Sequence, residues 1–289
     1  MNPTWQSGNE PQPAPIGPAG WLRVLARGLP LGIVVFGCLA LLLLVRLAER
    51  PLFGPRRPVT PFITQFVCRA AFRILGIRHR VTGQPMQTGG ALVSNHVSWL
   101  DIFALNACDR FYFVSKAEVR DWPGIGWLAR ATGTVFIERD RRRAREHRAT
   151  FVQRLGQGHR LLFFPEGTSS DGLRILPFKS TLFSAFFGAD VPAGLMVQPV
   201  TLVYRAPRGQ EPRFYGWWGD MEFAPHLLQT LAARRQGAVE VIFHPPLPLT
   251  AATDRKTLAA GTERTILAAL EARLEARAGP DTREGGAAG

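Results

Sequence analysis

Lysine is almost missing from this chain of 289 residues, which has only Lys116, Lys179 and Lys256. The other thirty-two basic residues are arginines, set against 22 Asp and Glu, and the formal net charge is +13. Arginine grips phosphate and carboxylate with a planar two-pronged fork, so the partner is expected to be anionic: nucleic acid, a phosphorylated metabolite or a lipid headgroup. Cysteine is scarce too. Cys38, Cys68 and Cys108 are odd in number and lack metal-ligand spacing, which excludes a disulfide framework and fits a reducing compartment. Five histidines (His79, His147, His159, His226 and His244) are scattered without ligand spacing, so each is read as structural or exposed. No aromatic stacking motif of the RNA-binding kind is present, and this argues against a nucleic-acid partner. No internal repeat is found.

What is present begins with a charge-free run from Gly28 to Val45, bracketed by Arg27 and Arg46. At about 1.5 Å per residue it reaches roughly 27 Å, enough for a spanning or a half-inserted helix. It ends without a small-residue cleavage site, unlike a signal peptide. Residues 1–27 upstream, rich in Pro and Gly at their start, are expected to be a disordered tail. Residues 28–80 form a membrane-anchoring unit. Its second helix, 62–75, places Phe62, Ile63, Phe66, Val67, Ala70, Ala71, Ile74 and Leu75 at helical period, with Gln65, Arg69 and Arg73 on the other side. That pattern suits a helix in the lipid interface or one packed on the next domain. Arginines crowd the second end of the apolar run (Arg46, Arg50, Arg56, Arg57), which places the following domain in the cytoplasm, at the inner membrane.

From residue 81 to 277 the pattern alternates. Apolar runs at 91–94, 111–115, 134–138, 161–164, 197–204 and 239–243 read as strands. Segments near 97–107, 119–131, 141–157, 178–188, 224–235 and 255–277 read as helices. This alternation predicts an α/β sheet covered by helices. Residues 278–289 read as a disordered tail.

The first strand leads into Ser94-Asn95-His96-Val97-Ser98-Trp99-Leu100-Asp101. A histidine with a carboxylate five positions on has the parts of a preset general base: the imidazole takes a proton, and the carboxylate fixes its tautomer and supports its charged form. No serine stands out as a nucleophile, so the attacking hydroxyl is expected to belong to the substrate.

Three further strings end predicted strands: Gly133-Thr134-Val135-Phe136-Ile137-Glu138-Arg139, Phe164-Pro165-Glu166-Gly167-Thr168-Ser169, and Val197-Gln198-Pro199-Val200. Strand ends are where α/β proteins bind ligands. Together with the His96 string, they resemble the four ordered blocks of the 1-acylglycerol-3-phosphate acyltransferase family over about residues 60–250. The resemblance implies a membrane-bound acyltransferase with a mixed sheet covered by helices and an N-terminal membrane-associated helical pair. The fatty acyl group would pass from an acyl carrier protein or coenzyme A thioester to a lysolipid hydroxyl, with no cofactor. It implies His96 as base, Asp101 as its orienter, Arg139 as the clamp on the acceptor's anionic head, Lys116 near the same headgroup, and Glu166, Gly167 and Thr168 around the acceptor. The Gly167-Thr168 turn would supply backbone donors to the oxyanion.

The chain departs from the phosphatidic-acid-forming members at one informative position, where Ser169 stands in place of an arginine. With Tyr215-Gly216-Trp217-Trp218-Gly219-Asp220-Met221 further on, the pattern resembles the lyso-ornithine lipid acyltransferase branch, whose acceptor carries a carboxylate and an amine in place of a phosphate. Lysophosphatidic acid is the alternative acceptor. A non-catalytic lipid-binding protein is the remaining reading, and it gives no reason for the His/Asp spacing.

Overall fold

The apolar run does not stop at its flanking arginines. In the computed structural model, which describes residues 5–122, 124–137, 144–187, 191, 194–250 and 253–278, it belongs to one long helix, α1 (Pro18–Phe53). At about 1.5 Å per residue this helix is about 54 Å long. It starts ten residues before the expected Gly28, with proline in its first turn, where the preset φ suits a helix start. Arg23 and Arg27 are therefore inside the helix. Arg23 donates to the Ala232 carbonyl at 2.6 Å, and Arg27 to the Leu231 and Ala233 carbonyls at 2.8 and 2.6 Å. Residues 5–17, expected as part of a disordered tail, instead run along the domain. Trp218 donates to Ser7 at 3.1 Å, Arg213 donates to the Asn9 carbonyl at 3.0 Å, and Trp5 lies against Trp218. The expected tails at 1–4 and 279–289 lie outside the described residues.

Glu49, buried near the far end of α1, accepts from the Val59 and Thr60 N–H groups and from the Thr60 hydroxyl. It thereby caps α2 (Thr60–Leu75), satisfying N–H groups a helix start leaves open. One face of α2 is core, with Cys68, Ala71, Phe72 and Leu75 buried, while Phe62 and Phe66 are exposed. Its polar side meets α3 (Leu100–Cys108): Gln65 and Arg69 donate to the Cys108 and Ala107 carbonyls.

The strands are β1 (Arg78–Thr82), β2 (Gly90–Ser94), β3 (Tyr112–Lys116), β4 (Val135–Ile137), β5 (Arg160–Phe163), β6 (Met196–Arg205), β7 (Ala238–Phe243) and β8 (Leu247–Pro248). They form a mixed sheet in the order β1-β7-β6-β2-β5-β3-β4, with β8 beside β6. From β6 to β4 neighbours run parallel, and β7 turns antiparallel to β6. The central strand β2 is buried throughout and sends alternate side chains to opposite faces. Leu92 joins a core with Phe72, Leu75, Leu100 and Leu105 on one side; Ala91 and Val93 join Phe151, Phe183 and Ile266 on the other.

The remaining helices are α4 (Ile125–Thr132), α5 (Ala144–Gly156), α6 (Phe223–Ala232) and α7 (Arg255–Ala278). The helix expected at 119–131 is split: a 3-10 turn, Ala117–Asp121, precedes α4, and Gly124 at φ +72° makes the break between them. The helix expected at 178–188 is a 3-10 helix, Ser180–Phe186.

Candidate active site

Both key strands end at the same edge of the sheet. β2 and β5 are parallel neighbours, so Asn95-His96 and Phe164-Pro165-Glu166 emerge side by side. Asn95 is fully buried and brackets the backbone of Leu202 on β6, donating to its carbonyl at 3.0 Å and accepting from its N–H at 2.8 Å. The loop after it wraps around one carboxylate. Asp101, fully buried in the first turn of α3, accepts at Oδ2 from Val97 N–H (2.7 Å), Ser98 N–H (3.0 Å) and His96 Nδ1 (2.7 Å). Its Oδ1 accepts from the Tyr204 hydroxyl at 2.8 Å. Burial holds the Tyr204 phenol well above its usual pKa, so it stays a donor. A carboxylate oxygen already accepting two backbone N–H groups is acceptor only, so the proton between Asp101 and His96 belongs on Nδ1. Nε2 then carries the lone pair. The imidazole stacks on Phe164 at 4.1 Å and 11°, and its side chain is 22% exposed against 0% for Asp101. The pair thus holds the imidazole in one tautomer, with Nε2 open to a ligand.

Glu166 is turned into the protein. It is 1% exposed, and its two oxygens accept from the backbone N–H groups of His96 and Leu176, each at 2.7 Å. Burial pushes its pKa up to about 8, and nearby Asp101 and Glu263 add to the rise, while the two N–H donors pull it down. It pins the histidine loop to the loop around Leu176. The loop is tied again where Ser170 N–H donates to the His96 carbonyl at 2.9 Å and Trp217 N–H to the Val97 carbonyl at 2.9 Å.

Gly167 sits at φ +73°, and its N–H closes the turn onto the Phe164 carbonyl at 3.1 Å. Its amide is therefore used inside the turn and is not a free oxyanion donor. The Thr168 N–H donates to no described residue and keeps that capacity. A Cβ on Gly167 would lie 2.8 Å from Lys179 Nζ, so this amine crosses the turn. Lys179 stands in the sequence only as one of three lysines, and the fold brings it to this turn. Lys116 ends β3, opposite Ile137 on β4. Arg139, two positions beyond β4, lies outside the described residues. Ser169 is 7% exposed, and its hydroxyl donates to the Trp217 carbonyl. Its side chain faces the 216–218 loop, so its place in the pattern is a packing position as well as a missing arginine. Trp218 is core at 1% exposed. Among the described residues no cluster of His, Cys, Asp or Glu is arranged to hold a metal. A cleft of about 710 Å³ opens between residues 10–14 and the start of α6, and none of these site residues lines it.

Known proteins resemble this chain. The acyltransferase family model matches residues 78–203, the span from β1 through Tyr204's neighbour on β6. A lyso-ornithine lipid O-acyltransferase of Rhodobacter capsulatus is 55% identical over 264 residues, covering 91% of this chain and 96% of that protein. The chain belongs to the acyltransferase family. Within that family, the lyso-ornithine lipid O-acyltransferase of Pseudomonas aeruginosa is 35% identical over 253 residues, covering 86% of this chain and 94% of that one. The 1-acyl-sn-glycerol-3-phosphate acyltransferase of Neisseria meningitidis is 42% identical over a shorter stretch of 129 residues, 44% of this chain and 49% of the other. The crystal structure of the 1-acyl-sn-glycerophosphate acyltransferase PlsC from Thermotoga maritima shares the acyltransferase fold at TM-score 0.62 and 21% identity, over 89% of this chain and 97% of that one.

Proposed function

We propose that this acyltransferase moves a fatty acyl group from an acyl carrier protein or coenzyme A thioester to the hydroxyl of lyso-ornithine lipid. The observation that carries the chemistry is the 2.7 Å contact between His96 Nδ1 and the fully buried Asp101. His96 Nε2 takes the proton of the acceptor hydroxyl as its oxygen attacks the thioester carbonyl. Asp101 supports the imidazolium that forms. The Thr168 N–H is suited to donate to the tetrahedral oxyanion. Collapse breaks the C–S bond, and the proton on His96 passes to the departing thiolate. The thioester is already activated, so the reaction needs no cofactor. Lys179, whose amine crosses the Gly167 turn, is suited to the carboxylate of the acceptor, and the family resemblance assigns Lys116 and Arg139 to the same headgroup.

Likeness along nearly the whole chain supports lyso-ornithine lipid as acceptor. Lysophosphatidic acid is the second reading, favoured by the Neisseria relatives over their shorter match. Purified enzyme given each lysolipid with one acyl carrier protein thioester decides between them. A kcat/KM more than about tenfold higher for lysophosphatidic acid overturns the acceptor assignment. Full activity of His96→Ala overturns the base.

Membrane association follows from α1, which is long and apolar enough to cross a membrane and exposes Leu22, Leu25, Leu29, Ile33, Leu43, Leu44 and Leu47. Yet Arg23 and Arg27 bind the end of α6, and Glu49 caps α2, so both halves of α1 touch one domain. A perpendicular crossing would pull them apart. The helix is read as lying within the cytoplasmic leaflet of the inner membrane, with the catalytic domain on the cytoplasmic side. In sealed inverted vesicles, cysteines introduced at Gln12, ahead of α1, and at Arg56, beyond its end, should both react with an impermeant maleimide; reaction at only one refutes this placement.

A further inference from the structure

We propose that Tyr204 is a positioning residue that completes a Tyr204–Asp101–His96 relay. The inference rests on His96 acting as base, as argued above. Tyr204 lies near the end of β6, 5% exposed, and its backbone registers with Val239 on β7. From there its hydroxyl crosses to Asp101 on α3, 103 positions away in the chain, and donates to Oδ1 at 2.8 Å.

The two carboxylate oxygens are used unequally. Oδ2 accepts from three N–H groups, whereas Tyr204 is the partner of Oδ1 among the described residues. With Asp101 fully buried, no water stands in if that bond is lost. The hydroxyl does two things. It stops the carboxylate turning about its Cβ–Cγ bond, which keeps Oδ2 aimed at Nδ1. It also draws part of the negative charge onto Oδ1, which limits how strongly Asp101 holds a proton on the imidazole. A charged oxygen bonded to a phenol is a poorer stabiliser of imidazolium than one that is not. The groups around this relay are Glu166, whose backbone bond reaches His96; Glu263, which faces Glu166; and Tyr215, whose ring lies 5.8 Å from that of Tyr204. Tyr215 turns its own hydroxyl to Gln236 and Gly237 and does not reach Asp101.

The test is Tyr204→Phe, which removes one oxygen and keeps the ring. The expected result is a kcat about 10- to 100-fold lower with KM within about twofold, because the lost aim of Oδ2 at Nδ1 costs the proton transfer more than the undiluted charge returns to it. The acidic limb of the pH profile of kcat/KM should move to higher pH, since the undiluted Asp101 charge holds the imidazole proton more tightly. Tyr215→Phe, which removes a neighbouring buried hydroxyl, should leave both the kcat and the limb near wild type. Adding Tyr204→Phe to Asp101→Asn should cost little more than Asp101→Asn alone, because the phenol acts through that carboxylate. If Tyr204→Phe fails to accumulate as folded protein, Tyr204→3-fluorotyrosine keeps the packing and makes the phenol a stronger donor, and the limb should then move to lower pH. A kcat within twofold of wild type, a fall in kcat with an unmoved limb, or additive losses in the double variant overturns the relay. Loss of activity in His96→Ala beside a neutral Tyr204→Phe would sink this inference alone; activity in His96→Ala would sink the base assignment on which it rests.

Discussion

Replacing Asp101 with Asn separates charge from shape at the centre of the site. The amide is nearly isosteric, and its oxygen can still accept from Val97 and Ser98, so the loop around it keeps two of its ties. The amide nitrogen then faces Tyr204, whose hydroxyl can accept as well as donate. The fold should survive. What vanishes is the negative charge opposite the imidazolium. With Nδ1 and Oδ2 at 2.7 Å, the charge centres lie about 4 Å apart, and at an effective dielectric near 20 that attraction is about 4 kcal/mol. Nearly all of it applies in the transition state, when the ring is charged, and little in the ground state, when it is neutral. The expected fall in kcat is therefore about 10³-fold, with KM nearly unchanged. If the amide instead turns its nitrogen to Nδ1, the ring adopts the other tautomer, Nε2 holds a proton, and the loss is larger. Thiol release from the thioester donor, followed with a lysolipid in mixed micelles, measures kcat; a thermal melt confirms folding. A folded Asp101→Asn enzyme within tenfold of wild-type kcat would refute the reasoning.

Two further outcomes are expected. Glu166→Gln keeps one acceptor for the His96 and Leu176 N–H groups and points an amide nitrogen at the other, which should lower stability by about 1–3 kcal/mol. Because the folded state raises the Glu166 pKa to about 8, wild type binds this proton more tightly folded than unfolded and loses stability as pH rises from about 4.5 to 8; melts at pH 5 and 8 should show a smaller fall for Glu166→Gln. Ser169→Arg places a long side chain where Ser169 is 7% exposed against the Trp217 carbonyl, so it should displace the 216–218 loop and lower kcat/KM for both lysolipids at least about tenfold, with no gain for lysophosphatidic acid. A gain of activity on lysophosphatidic acid would make that residue a headgroup contact.

The His96/Asp101 pair was legible because its geometry is local: five positions suffice to fold a loop around a carboxylate. The inner strands were legible because burial on both faces writes them as unbroken apolar runs. β1 was not, since an edge strand of Arg78, His79 and Arg80 carries no such run. The start of α1 was hidden because Arg23 and Arg27 look like flanking charges until the carbonyls they serve are in view. The backbone partners of Glu166 were not legible, because a sequence does not tell which way a carboxylate turns. Tyr204 was hidden inside Thr201-Leu202-Val203-Tyr204, where a phenol reads as one more core ring, and its partner lies a hundred positions upstream.

Fastening α1 at both its halves also sets the elevation of the chemistry. With α1 in the leaflet as proposed, the domain could not swing away from the lipid without breaking the Arg23 and Arg27 contacts or the Glu49 cap, so His96 would ride at a constant height above the bilayer surface. An acceptor would then need only to diffuse sideways and lift one hydroxyl to that level, and the acylated product would sink back into the leaflet it came from.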